Sequence, residues 1–227
     1  QQNIYYYLKS LFLVLNYKLI KRILDFIFSF LLIIFLIPLF LLIGIIIKIN
    51  SKGPILYTQK RIGKNNITFY CYKFRTMHHE SKYLLKEILI KNPHFKSEFE
   101  ETRKIINDPR ITKIGKFLRF SSFDELPQIF NVLKGDMSLI GPRPERPEID
   151  QALKTKIPNY SLRYLIRPGL SGWAQVNIPY GASISDSIKK FSYDIYYLKH
   201  TSIILDFLIC LRTIRMVFNA RGATPNK

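Results

Sequence analysis

Cysteine is almost missing from this 227-residue chain. It occurs twice, as Cys71 and Cys210, far apart and outside any CxxC or Cys/His spacing. That argues against a structural zinc. His78 and His79 are neighbours, so on a helix or strand they point apart, and they read as surface residues rather than ligands. Tryptophan occurs once, at Trp173, and there is no low-complexity tract and no internal repeat. Acidic residues are scarce too: 16 Asp and Glu stand against 35 Lys and Arg, a formal charge of +19. Such an excess favours an anionic partner, whether nucleic acid, anionic lipid or a phosphorylated substrate. The length suits one well-buried core and argues against two full domains. The last thing lacking is charge in one region, between Phe26 and Ile47. This run turns the reading toward a membrane and away from nucleic acid.

As a straight helix Phe26–Ile47 would be about 33 Å long, enough to span a bilayer. Two features oppose a simple span. Pro38 lies near its middle, where it removes a backbone hydrogen bond and bends a helix. Both flanks are basic, with Lys18, Lys21 and Arg22 before and Lys48, Lys52, Lys60, Arg61 and Lys64 after. A spanning helix carries its positive excess on one side. The part before the proline reaches only about 18 Å as a helix, which suits a re-entrant hairpin dipping into one leaflet. On pattern alone, re-entrant and spanning readings are evenly matched, because spanning helices also tolerate proline. Residues 1–20, aromatic and aliphatic but broken by Lys9, Asn16 and Lys18, read as a linker or interfacial segment, or as an ordinary amphipathic helix. The chain begins Gln1-Gln2 without a methionine, which is compatible with a longer protein.

Downstream, Ser51–Thr76 predicts two short strands joined by a turn at Gly63, Asn65 and Asn66. Lys60, Arg61, Lys73 and Arg75 make this hairpin basic, either as a solvated face or as one lying on lipid or substrate phosphates. Glu80–Ile106 predicts a surface helix broken at Asn92-Pro93 and then a polar connector, and Asp108-Pro109 marks a turn. Lys113–Phe120 places Ile114, Phe117 and Leu118 on one side of a short helix, interfacial or core-facing. Near the end, Ile204, Phe207, Leu208, Leu211 and Phe218 trace one helical face.

The chemistry concentrates in Arg119–Pro144, RFSSFDELPQIFNVLKGDMSLIGPRP. Asp124 as a helix N-cap puts Pro127 in the first turn, and Gly135 suits the helix end. Ser122-x-x-Glu125 also matches a capping box, so these acids have an ordinary structural use. The same position suits phosphate chemistry, because an ionised aspartate can attack a phosphoryl group and adjacent acids can hold Mg²⁺. Gly141-Pro142-Arg143-Pro144 fixes an arginine between two prolines, a pre-positioned fork for phosphate. Arg167-Pro168-Gly169 presents another arginine on a turn, and Tyr180–Ser183 reads as a loop. Trp173 fits a core position best, with base stacking or a membrane interface as its functional uses.

SSFDELPQIFNVLKGDMSLIGPRP, followed by RPGLSGWAQV and YDIYYLKH, resembles the bacterial sugar transferase family, the monotopic polyprenyl-phosphate phosphoglycosyl transferases. The likeness covers about Lys21 to Phe218, and its motifs are long. It implies transfer of a sugar 1-phosphate from a UDP-sugar to undecaprenyl phosphate, with release of UMP, at the cytoplasmic face of the inner membrane. It implies Asp124 as nucleophile, a phosphosugar-aspartyl intermediate, Mg²⁺ as cofactor held by Asp124 and Glu125, and Glu125 in metal or acceptor handling. Arg119, Arg143, Arg146 and Arg167 are the substrate-binding candidates. The family's re-entrant helix bends at a proline, which matches Pro38 and decides between the two membrane readings. Ile37 precedes it where some members carry serine. PERPEID and IPYGASISDSI resemble members that start exopolysaccharide with a hexose, commonly long proteins with further N-terminal helices.

The expected fold is α+β: a membrane hairpin at 21–50 after a segment at 1–20, then a compact cytoplasmic catalytic domain at 51–227 with a small β-hairpin and interfacial helices. Inner-membrane lipid is a partner, nucleic acid is not, and assembly into a homo-oligomer is compatible with this reading. A catalytically silent scaffold for polysaccharide assembly is the alternative.

Overall fold

The computed structural model describes residues 2–102, 105, 107–178, 181 and 183–218. It is a mixed fold of helices with two small sheets. Helix α1 (Gln2–Asn50) is followed by the strands β1 (Leu56–Ile62) and β2 (Thr68–Phe74). Helices α2 (Ser81–Lys91), α3 (Pro93–Thr102) and α4 (Lys113–Phe120) come next, then a 3₁₀ turn at Phe123–Glu125 and α5 (Gln128–Lys134). Strand β3 (Ser138–Ile140), α6 (Pro147–Lys156), a second 3₁₀ turn at Tyr160–Leu165 and β4 (Gly169–Ser171) follow. Helices α7 (Trp173–Asn177), α8 (Ile184–Lys199) and α9 (Ile203–Phe218) close the described chain.

Helix α1 stays helical through Pro38. Its segment Asn16–Asn50 is long and apolar enough to cross a membrane and is mostly exposed. Phe28, Leu31, Phe35, Leu41, Leu42 and Ile45 all face outward, with Phe35 at 79%. An apolar surface of this length suits lipid. Two stretches of α1 turn inward instead. Arg22 donates to the carbonyls of Val132 at 2.7 Å and Leu133 at 2.9 Å, the last turn of α5. Ile43 and Ile47 are buried with Phe74 and Leu118, joined by Leu39, Phe40, Phe123 and Leu126. The C-terminal end of α1 is closed by Arg75, whose guanidinium donates to the carbonyls of Ser51, at 2.8 Å, and Lys52. A cation on orphan carbonyls stabilises a helix end twice over, by hydrogen bonding and by dipole complementarity.

The expected hairpin is present: β1 and β2 pair antiparallel, with Gln59 opposite Cys71 and Arg61 opposite Phe69. A two-stranded hairpin is marginal alone. This one is held by Asn131 of α5, which donates to the Tyr70 carbonyl at 2.8 Å and accepts from the Tyr72 amide at 3.0 Å. Cys71 is buried with Val132 and Met137 beneath it. The second sheet, β3 with β4, is parallel, Ser138 opposite Gly169 and Ile140 opposite Ser171. The helix break at Asn92-Pro93 also falls as expected, but Pro93 opens α3 where a polar connector was expected. Proline fits a first helical turn because its missing N–H has no partner there anyway. The Tyr180–Ser183 loop lies largely outside the described residues, as does the chain after Phe218.

Candidate active site

The two acids sit on the 3₁₀ turn between α4 and α5. Helix α4 begins at Thr112, whose hydroxyl caps the Gly115 amide at 2.9 Å. It packs so closely on the end of β2 that a Cβ on Gly115 would lie 2.0 Å from the Thr76 carbonyl oxygen. Ser122 then takes a left-handed backbone, φ 59°, and reverses the chain. This overturns the capping-box expectation. Ser122 makes no side-chain cap, Asp124 is not an N-cap, and α5 starts only at Gln128, with Pro127 in the cap position. The acids are therefore free of a capping duty. Gly135 does terminate α5 in the left-handed region, φ 94°, as its position predicted.

Asp124 and Glu125 have opposite environments. Asp124 is 9% exposed, and among the described residues its carboxylate accepts no hydrogen bond. Burial pushes its pKa up to about 6; Lys73, Arg119 and Arg143 pull it down and Glu125 pushes it further up. Glu125 is also poorly exposed, and burial alone would raise it, but Arg143 and Lys73 outweigh burial and hold it well below the usual carboxylate range. Lys73 Nζ lies 2.5 Å from Glu125 Oε1, and Arg143 clasps both oxygens at 2.5 and 3.0 Å. Two adjacent acids whose environments drive their affinities for protons apart have separate roles.

The arginine candidates divide in the same way. Arg119 donates from Nε to the Thr76 hydroxyl at 2.9 Å, one turn before Asp124. Arg143 belongs to the site through Glu125, and its main chain is fixed from behind. Arg163 donates to its carbonyl at 2.8 Å and is itself paired with Asp194 at 2.8 Å, both side chains fully buried. Arg61 donates to the next carbonyl, of Pro144, at 2.9 Å. Arg146, half-buried, opens α6 three residues on. Arg167 lies elsewhere: its Nε donates to the Gly135 carbonyl at 2.8 Å, at the far end of α5 from the acids. Sequence reasoning singled out neither Thr76 nor the Arg163–Asp194 pair. It counted Lys73 only among the hairpin's basic residues. The alternation of β2 carried a signal for Lys73, since it shares the inward face with Cys71.

Among the described residues no three acidic, histidine or cysteine side chains converge as a metal cage. Both Glu125 oxygens are engaged by cations, so the Asp-Glu pair does not form a resident Mg²⁺ site in this arrangement. Trp173 is half-buried at the start of α7, stacked on Tyr196 at 6.0 Å and covered by the Arg212 guanidinium at 4.9 Å.

A buried carboxylate beside a lysine and an arginine, near a long apolar helix, is suited to phosphate chemistry. The chain belongs to the bacterial sugar transferase family, whose model matches residues 16–220. It is 41% identical over 207 residues to a UDP-N-acetylgalactosamine-undecaprenyl-phosphate N-acetylgalactosaminephosphotransferase of Aeromonas hydrophila, covering 91% of this chain and 45% of that one. It is 36% identical to the undecaprenyl-phosphate galactose phosphotransferase of Salmonella typhimurium, covering 91% and 42%. It is 38% identical to the exopolysaccharide production protein ExoY of Sinorhizobium fredii, covering 89% and 87%. The chain thus spans under half the length of the first two relatives and most of the third.

Proposed function

We propose that this chain transfers a hexose 1-phosphate from a UDP-sugar to undecaprenyl phosphate, releasing UMP and starting assembly of an exopolysaccharide or another glycoconjugate. The observation that carries this reading is Asp124: buried, unbonded, and flanked by Arg119 and by the Arg143–Glu125 pair. An unsolvated carboxylate is a competent nucleophile. In the first step an Asp124 carboxylate oxygen bonds to the β-phosphorus. The bond from that phosphorus to the bridging oxygen breaks, and its electron pair leaves with UMP. In the second step an oxygen of the lipid phosphate attacks the same phosphorus. The acyl-phosphate bond breaks, Asp124 regains its negative charge, and the sugar leaves on a lipid diphosphate. Arg119, Arg143 and Arg146 hold the phosphate oxygens, whose charge moves during both steps. Mg²⁺, when bound with the nucleotide sugar, would supply charge neutralisation at its diphosphate.

In this reading α1 is re-entrant and the reaction runs at the cytoplasmic face of the inner membrane. Supporting the bend is the convergence of both halves of α1 on α5. Arg22 grips Val132 and Leu133, while the Phe40 ring lies 5.7 Å from that of Phe130. Positions 22 and 40 would be about 27 Å apart on a straight helix, while α5, of 7 residues, is only about 10 Å long. Phe117 and Phe120 on α4, with Ile204, Phe207 and Leu211 on α9, are exposed and suit the interface.

The test is to incubate the protein with labelled UDP-sugar and no lipid acceptor. A phosphosugar bound to the wild-type protein and absent from Asp124→Asn is the expected result. Transfer without any trapped intermediate at high enzyme concentration would point to direct transfer instead.

A further inference from the structure

The clasp on Glu125 suggests a role for that residue distinct from metal ligation. Three N–H donors from two cations reach its carboxylate, Lys73 Nζ at 2.5 Å and the two terminal nitrogens of Arg143 at 2.5 and 3.0 Å. A divalent ion on the same oxygens would sit against two fixed positive charges that already engage both of them. The cations come from separate elements, Lys73 from β2 and Arg143 from the loop after β3, and among the described residues Glu125 joins them. The Arg143 main chain is held independently by Arg163 and Arg61, so Glu125 is not needed to anchor that loop. What it controls is the guanidinium and the ammonium themselves: their separation, and a summed charge of one rather than two.

We propose that Glu125 is the counter-ion of a phosphate-binding cation pair, and that Lys73 is a substrate-binding residue beside Arg143. This rests on the proposed transfer from a nucleotide sugar. The pair takes the diphosphate, and Glu125 keeps the pair from holding the departing nucleotide too tightly. Neutralising Glu125 therefore strengthens anion binding while slowing turnover. A metal ligand and a residue that merely supports the fold both predict the opposite or nothing.

The experiment measures UMP binding to the detergent-solubilised full chain in EDTA, following Trp173 fluorescence or heat. Glu125→Gln is expected to bind UMP at least about threefold tighter than wild type, because an acid no longer competes with the phosphate for its two cations. Lys73→Met is expected to bind at least about fivefold more weakly, since one charge-assisted contact is lost. With UDP-sugar and undecaprenyl phosphate, both variants should turn over more slowly. Unchanged or weaker metal-free binding in Glu125→Gln overturns the counter-ion role, and unchanged binding in Lys73→Met overturns the role of that lysine. Should Glu125→Gln fail to fold, Lys73→Met and Glu125→Asp decide, the latter expected to stay within about twofold of wild type. Absence of metal-free UMP binding in the wild type also overturns the inference. Absence of transfer by a wild type that still binds UMP overturns the proposed reaction instead.

Discussion

Arg163 donates to the carbonyl of Arg143 at 2.8 Å from a position where its own side chain is fully buried. The bland explanation for a buried arginine is packing. Here it is engaged by Asp194 at 2.8 Å, Glu145 at 4.0 Å, the Tyr160 hydroxyl, and the backbone of a residue whose guanidinium clasps Glu125. Removing Asp194 strands the cation. We expect Asp194→Ala to lose about 3–5 kcal/mol, the range for breaking one side of a buried pair. Thermal unfolding in detergent checks this, and Arg163→Met with Asp194→Leu together should cost less than Asp194→Ala alone.

The same site supplies a pH dependence. As the proposed nucleophile Asp124 must be ionised, and burial pushes its pKa up to about 6. Activity should therefore be full above pH 7 and fall tenfold per unit once the pH drops below about 6. Rates of UMP release at saturating acceptor check the limb. Lys73→Met should move it upward, because Lys73 is among the charges that favour the ionised form.

Burying that charge has a cost to the fold. A carboxyl whose folded pKa lies above its unfolded value gives up stability as pH rises from about 4 to 6, and the loss is complete above that window. Asp124→Asn should accordingly be inactive yet more stable than wild type at pH 8, by up to about 3 kcal/mol. Below pH 4 the gain should vanish. Parallel melting curves at both pH values check it.

Gly115 gives a steric test. Any side chain there meets the Thr76 carbonyl, which also accepts from the Thr112 amide at 3.0 Å. Gly115→Ala should push α4 away from β2 and take Arg119 off the Thr76 hydroxyl. Loss of kcat/KM by about a hundredfold is expected, the usual penalty for displacing a positioned group by about 1 Å. Thr76→Ser, which keeps the hydroxyl, should be close to wild type.

Topology is tested with reporters fused after Ile4 and after Ser51. Both are expected on the cytoplasmic side, and opposite sides would mean that α1 spans the bilayer.

How much of this could be read from the residues depends on the range of the interaction. The hairpin, α4 and the stop at Gly135 follow from alternation, spacing and one left-handed glycine, which are local properties. The α2–α3 break at Pro93 is local too. Ser122 was misread because Ser-x-x-Glu satisfies a capping box on paper, whereas Ser122 itself adopts φ 59° to turn the chain. The division between Asp124 and Glu125 was out of reach, because it depends on Lys73 and Arg143, 52 and 18 residues away. Arg163 and Asp194 look like an ordinary charged pair until burial is known. Arg143 is marked in the sequence by two prolines, whereas Thr76 carries no such mark.

The polar cluster on the first half of α1 joins residues from opposite ends of the described chain. Lys21 reaches Asp206 at 2.6 Å and the Tyr197 hydroxyl at 3.0 Å, Tyr17 reaches Asp206 at 3.0 Å, and Tyr197 reaches Asp206 at 2.5 Å. During synthesis α1 leaves the ribosome before α9, so Lys21 gains this partner only after the segment between them has been made. The contact ties α1 to α9: a chain cut short before Ile203 would keep α1 but lose Asp206, whose carboxylate Lys21 bonds.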